Sequence, residues 1–262
     1  MNDENRDTYE ILSRYYDLEF DAFETDIDMY RQFAVNAGGP VLEIGCGSGR
    51  VLASLTDLNL QLTGIDNSRS MLDIARSRLP SEVQLIACDM RRLAETDALP
   101  NAPYWFAFSA INTFLHLPDV ESQLMTLSGL RSVVVTGGIL LLDLFVPHPD
   151  YLVTLDGRLA HEFKTLLPGG TRIDKWAART HDLASQTIDT TVFFDVTSNT
   201  GQLTRFVDRY STRYIHLFEL EHLLARAEWE IVSIYGGYDL EPFDSDSERI
   251  IVLATTKAGA AG

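Results

Sequence analysis

The sequence predicts an α/β protein whose centre is a doubly wound, seven-stranded, mostly parallel sheet with helices on both faces. Three observations predict it. Apolar runs of strand length alternate with helix-period stretches between residues 41 and 146. The first run opens straight into a glycine-rich loop, Gly45-Cys46-Gly47-Ser48-Gly49, as a strand-to-helix turn does. After the fifth run, residues 171–214 change to β-like composition broken by turn residues, which predicts an antiparallel insert.

Ahead of the first strand, Tyr9, Leu12 and Tyr16 share one helical stripe and Ile27, Tyr30 and Phe33 another, and Gly38, Gly39 and Pro40 end the pattern. Residues 1–39 therefore read as a segment of two short helices. Strands are expected at 41–44, 61–65, 83–87 and 105–110, with helices opening at Ser48 and covering 68–79. A helix over 120–132 leads to Gly137-Gly138 and the run 139–146, whose continuous apolar character suits a strand buried on both faces. The insert offers strands near 173–180, 187–196 and 202–214, turned at 182–185 and at Ser198-Asn199-Thr200-Gly201. A helix over 218–227 and strands at 230–235 and 249–254 complete the sheet, and a small-residue tail after Lys257 is expected to fray. The domain organisation that results is 1–39, then 40–150 with 215–257, with 151–214 inserted between them.

Composition bounds the function. The chain of 262 residues is 45% hydrophobic and 23% charged, within the range of a soluble globular protein. Its formal charge of −17 comes with three lysines, and no Lys/Arg cluster is long enough to hold a phosphate backbone, so nucleic acid is excluded as a partner. A basic or zwitterionic small molecule suits the field better. Cys46 and Cys88 read as free thiols without metal-ligand spacing, and His181, His216 and His222 lack it too, so no metal is expected. The polar start M-N-D-E-N-R-D and the absence of an 18-residue apolar run predict no membrane association and a cytoplasmic protein, as a monomer or homodimer.

The chemistry is written in V-L-E-I-G-C-G-S-G-R, residues 41–50. Gly45, Gly47 and Gly49 let the backbone turn tightly and approach a ligand. A dinucleotide fingerprint wants glycine or alanine where this chain has Arg50. Asp66 ends the next strand in T-G-I-D, where a carboxylate can accept both ribose hydroxyls of an adenosine. Asp89, in C-D-M directly after the third strand, can accept from an adenine amino group while Met71, Leu72 and Met90 face the ring.

In order, E-I-G-C-G-S-G, G-I-D, C-D-M, N-T-F-L-H-L and G-G-I-L-L-L-D-L-F resemble the class I S-adenosylmethionine-dependent methyltransferases, of the small-molecule type. The resemblance covers residues 41–145 plus the last helix and strands, and implies the Rossmann-like methyltransferase fold with S-adenosylmethionine as cofactor and S-adenosylhomocysteine as product. It implies that Gly45, Cys46 and Gly47 run beneath the methionine part, that Asp66 with Asn67 holds the ribose and Asp89 the adenine, and that Glu43 lies near the ammonium group. Many relatives open the fourth strand with a phenylalanine–aspartate pair that this chain lacks, which leaves Ser109, Ala110 and Asn112 as contacts there. Similar small-molecule enzymes carry an antiparallel acceptor or cap sheet after the fifth strand and an N-terminal helical lid, which implies that Tyr15 and Tyr16 reach the cofactor.

Methyl transfer from a sulfonium needs no acid for its neutral leaving group, so positioning can supply much of the catalysis. If the acceptor nitrogen or oxygen of the small molecule must lose a proton, His116 is the base suggested by type and place, with Tyr16 as the second catalytic candidate. Arg14 could meet the cofactor's carboxylate. The alternatives are an NAD(P)-dependent oxidoreductase, which leaves C-D-M and the insert without a role, and a non-catalytic S-adenosylmethionine-binding pseudoenzyme. The serine of G-C-G-S-G is out of register with a nucleophile elbow, which disfavours a hydrolase.

Overall fold

The computed structural model describes residues 7, 9–95 and 99–256, so the tail after Lys257 lies outside the described residues. In chain order the elements are α1 (Glu10–Phe20), α2 (Ile27–Ala37), β1 (Val41–Ile44), α3 (Arg50–Leu55), β2 (Leu62–Asp66), α4 (Arg69–Arg78), β3 (Gln84–Ala87), β4 (Tyr104–Ser109), α5 (Val120–Val133) and β5 (Val134–Phe145). There follow α6 (Pro149–Leu152), β6 (Asp156–Leu166), β7 (Arg172–Asp182), β8 (Thr187–Thr197), β9 (Leu203–Arg213), α7 (Leu217–Arg226), β10 (Trp229–Tyr235) and β11 (Arg249–Thr256).

The chain divides into two compact units. The larger runs from Glu24 to Val146 and resumes at Ile215. It holds a seven-stranded sheet in the order β10-β11-β5-β4-β1-β2-β3, in which β11 alone runs against its neighbours. Every inner strand is sandwiched, and its side chains alternate between two apolar layers. On one side Leu42, Leu140, Leu142 and Leu144 meet Leu127 and Leu130 of α5 and Leu220, Leu223 and Leu224 of α7. On the other, Val41, Phe106, Phe108 and Leu141 meet Tyr30 and Phe33 of α2, Leu52 of α3 and Leu72 of α4. The sequence reads as continuous apolar runs because both faces are covered.

Strand β5 begins earlier than the sequence suggests. It pairs with β4 as Tyr104 to Val134 and then jumps to Phe106 with Ile139, the offset being absorbed where Gly137 takes φ +80°. The Gly137-Gly138 pair is thus a bulge within the strand, which a glycine allows, instead of the turn before it.

The smaller unit comprises the segment ending at Phe23 together with Pro147–Tyr214, and its sheet runs β6-β7-β8-β9, each strand antiparallel to the next. Sequence patterning misses β6. That strand pairs on one edge only, and most of its residues are exposed and polar, so the apolar alternation that marks a half-buried strand is absent. Helix α1 packs on this sheet: Tyr15 stacks on Phe194 with ring centroids 4.5 Å apart, the Leu12 amide donates to Asp208 at 3.1 Å, and the buried Lys175 pairs with Glu19 of α1 as well as with Glu162. Residues 1–39 are therefore not one piece: α1 groups with the antiparallel sheet and α2 with the parallel one, and the inserted stretch starts at Pro147.

Phe194 is almost wholly buried and carries the aromatic contact that holds α1. Its replacement by alanine is expected to destabilise this unit by about 3 kcal/mol, visible as faster amide hydrogen exchange in α1 and β8. Unchanged exchange in α1 would show that the ion pairs alone hold the helix.

Candidate active site

Parallel strands that diverge to opposite sides of a sheet leave a crevice beyond their carboxyl ends, and in this order that point lies between β1 and β4, which pair with Glu43 opposite Phe108. Two buried oxygens at these strand ends have no hydrogen-bond partner: Oε2 of Glu43, whose residue is 2% exposed, and Oγ of Ser109, which is fully buried. Burial pushes the Glu43 carboxyl well above the usual carboxylate range, with the nearby Arg50 charge opposing the shift. An uncompensated buried acid is costly unless a cationic donor completes it.

The loop after β1 is shaped by its glycines. Gly45 has φ +63° and lies so close to Thr113 that an added Cβ would come within 2.1 Å of the threonine methyl. Gly47 has φ +52° yet opens on free space, where a Cβ would meet nothing within 4 Å. Its amide donates to Asp66 Oδ2 at 2.8 Å, while the Ser68 amide donates to Oδ1 at 2.8 Å. Asp66 therefore clamps the loop to the start of α4. Cys46 is held by its own amide on the Ile65 carbonyl, and burial raises its thiol pKa well above the ordinary value, with Glu43 and Asp66 adding to the shift. Asn67 is exposed beside Asp66, and Met71 is buried on α4.

After β3, Asp89 is half-buried and engaged by its neighbour: the Arg91 amide donates at 2.9 Å and the guanidinium grips both oxygens. Burial would raise its pKa, but these Arg91 hydrogen bonds and charge hold the carboxyl below its usual value. Met90 packs partly buried against the core.

Beyond β4, Ile111 and Asn112 both take positive φ, +37° and +64°. The Asn112 carbonyl Oδ1 accepts from the Phe145 amide at 2.7 Å, so that end of the side chain is occupied within the protein. A short 3₁₀ helix, Thr113–His116, follows. Burial pushes the His116 imidazole down to about pKa 4, so it is neutral at neutral pH and weakly basic.

The other sequence-derived candidates lie in the smaller unit and are described there. Tyr15 is part of the aromatic packing on Phe194, and Tyr16 stacks on Phe20 at 4.5 Å along its own helix. Arg14 pairs with Glu10 one turn away. Among the described residues no group of His, Cys, Asp and Glu has the arrangement of a metal site.

Sequence reasoning missed two buried ion clusters beside this site. Arg50 forms a bidentate pair with the fully buried Asp26, which gives a structural reason for the arginine that follows the glycines. Asp143, fully buried at the end of β5, accepts from Tyr30, Tyr238, Arg249 and the Ile111 amide. The available signal for Asp143 was a lone acid in the apolar run L-L-L-D-L-F, since such a group must be paired inside.

The crevice, the open glycine loop and the unpartnered Glu43 and Ser109 oxygens suit a ligand with a cationic nitrogen and an adenosine. Comparison with known proteins agrees. Residues 41–138 match the methyltransferase domain family. The chain is 25% identical over 217 residues to a cypemycin N-terminal methyltransferase of a Streptomyces species, covering 82% of each protein. The structure superposes with TM-score 0.74 on the CcbJ methyltransferase from Streptomyces caelestis, at 25% identity and over 96% of this chain and 98% of that one. It superposes with TM-score 0.71 on CalS10, an amino pentose methyltransferase from Micromonospora echinaspora, at 18% identity and over 94% and 96% of the two chains. These matches set aside the nicotinamide alternative and the non-catalytic one, and no helix among the described residues is long and apolar enough to cross a membrane. The chain carries a methyltransferase domain over residues 41–138 and is similar over most of its length to methyltransferases.

Proposed function

We propose that this enzyme methylates a nitrogen of a small amine, with the cofactor seated in the crevice between the ends of β1 and β4. The observation that carries the placement is the buried, unpartnered Glu43 Oε2 toward the end of β1. An ammonium group has three donors and would complete it. Gly45, Cys46 and Gly47 would then pass beneath the methionine part, Asp66 would take the ribose hydroxyls with Asn67 at the rim, and Asp89 with Met71 and Met90 would enclose the adenine. Tyr15 serves in our reading as the anchor of α1, and Tyr16, stacked on Phe20, remains the second catalytic candidate.

S-adenosylmethionine supplies a methyl group on a sulfonium, and the thioether left behind is neutral. The protein has to orient the acceptor, keep its lone pair free and exclude water. Three features favour nitrogen over oxygen as the acceptor. One relative is named an N-terminal methyltransferase and one similar structure a sugar N-methyltransferase, beside relatives named O-methyltransferases. The formal charge of −17 attracts cationic amines. His116, with a pKa of about 4, is too weak a base to deprotonate a hydroxyl efficiently at neutral pH, whereas an amine presents a neutral fraction of its own.

Two measurements test the reading. Calorimetric titration with S-adenosylmethionine, S-adenosylhomocysteine and NAD should show micromolar binding of the two adenosyl compounds only, weakened at least tenfold by Asp66→Ala; undiminished binding in that variant would remove Asp66 from the site.

A panel of aminosugars and N-terminal peptides set against catechols and sugar hydroxyls should yield N-methyl products, with kcat/KM rising with pH toward the acceptor's own pKa. Because His116 is already deprotonated above about pH 4, it should add no inflection between pH 5 and 9, and His116→Gln should leave the profile's shape unchanged. An inflection near pH 6.5 that disappears in His116→Gln, or methylation of oxygen alone, would overturn the assignment. The same shift has a stability consequence of fixed sign. The folded pKa of about 4 lies below the ordinary 6.5, so the unfolded chain binds the proton first, and the stability held by neutral His116 is lost as the pH falls from about 6.5 to 4.

A further inference from the structure

The turn after β4 is strained. Ile111, a β-branched residue, has φ +37° and Asn112 has φ +64°, and the first of these conformations persists only where the surroundings impose it. Asp143 supplies two of the hydrogen bonds that hold the turn. Its Oδ2 accepts from the Ile111 amide at 3.2 Å, and its backbone carbonyl accepts from the Asn112 amide at 2.9 Å. Asp143 is itself held from two other elements and a loop. Tyr30 of α2 and Tyr238 after β10 donate to Oδ2 at 3.1 and 3.2 Å, and Arg249 at the start of β11 donates to Oδ1 through Nε at 2.8 Å and also through its terminal nitrogen. Both tyrosines are pushed above their ordinary pKa by burial and by the Asp143 charge, so they remain donors throughout the working range. Asn112 completes the turn by accepting from the Phe145 amide, two residues beyond Asp143.

The strained turn reaches the cofactor loop in one step. Thr113, the next residue, lies against Gly45 so closely that no side chain could be added there. Ser109, two residues before Ile111, carries one of the two unpartnered buried oxygens. We infer that Asp143 is a positioning residue for methyl transfer: clamped by Tyr30, Tyr238 and Arg249, it imposes the Ile111–Asn112 turn that sets Thr113 on Gly45 and aims Ser109 at the cofactor. This rests on the reading that the Gly45–Gly47 loop and Ser109 hold the cofactor. A role confined to stability predicts a lower melting temperature and unaltered ligand affinity in the folded protein; a positioning role predicts that affinity changes together with the geometry of the loop.

The test uses S-adenosylhomocysteine as the probe, with calorimetry and amide NMR on the full chain and on Asp143→Asn and Tyr238→Phe. Asp143→Asn is expected to bind S-adenosylhomocysteine at least tenfold more weakly while the Ile111, Asn112, Thr113 and Gly45 amide resonances move together. Tyr238→Phe, which removes one donor to Oδ2, is expected to weaken binding about threefold and to move the same resonances less. Wild-type affinity, within twofold, in folded Asp143→Asn overturns the inference. If that variant does not fold, Tyr238→Phe decides: displaced Ile111–Thr113 resonances with Gly45 and the affinity unmoved overturn it. Absence of S-adenosylhomocysteine binding to the unaltered chain strikes instead at the placement of the cofactor.

Discussion

The parallel pairing of β1 with β4 is the constraint from which the site follows. Strands joined by right-handed crossovers fill the sheet outward from that pair in both directions. The chain therefore leaves the ends of β1 and β4 toward different neighbours, and the two loops touch where Thr113 lies against Gly45. A ligand crevice is a consequence of this topology before any side chain is chosen. The side chains then make it particular, because Glu43 Oε2 and Ser109 Oγ are buried at those strand ends without a hydrogen-bond partner.

Much of this was legible in the sequence. Both-face burial writes strands as uninterrupted apolar runs, so β1, β2, β4 and the second half of β5 could be read directly, and a glycine loop following such a run has few interpretations. Glu43, Asp66 and Asp89 were found because each follows or ends a recognisable strand. What stayed hidden is of two kinds. Strand β6 is a polar edge without alternation, and α1 and α2 share a composition that gives no hint of their grouping with different units. The ion clusters were hidden for another reason: Asp26 and Arg50, or Asp143, Tyr30, Tyr238 and Arg249, are far apart in the chain and meet only through the fold. A pattern of local period carries no trace of such pairings.

The buried charges also show how the fold divides its labour. Asp26 with Arg50 and Asp143 with Arg249 are satisfied pairs, each with one partner fully out of water, and each fixes the position of backbone that adjoins the crevice. Glu43 is the exception that remains incomplete. A protein interior tolerates a completed ion pair as architecture, whereas an incomplete one marks a place reserved for something else. The contrast between these acids separates scaffold from site using burial and partners alone.

The larger unit closes on itself where the inserted stretch leaves and returns. The Val146 amide, the last before the insert, is hydrogen-bonded at 3.0 Å to Glu248 next to β11, and Ile215, the first residue after it, belongs to the apolar layer beneath α7. The larger unit's sheet is thus continuous across the point where the inserted stretch leaves and returns. Yet the antiparallel sheet is not one contiguous exchangeable cassette, because α1, from the other end of the gene, is stapled to it by Tyr15 and Glu19. Recombination that replaced the inserted stretch alone would leave Phe194's aromatic partner and Lys175's counter-ion without their mates. The two segments of the chain therefore form one structural unit.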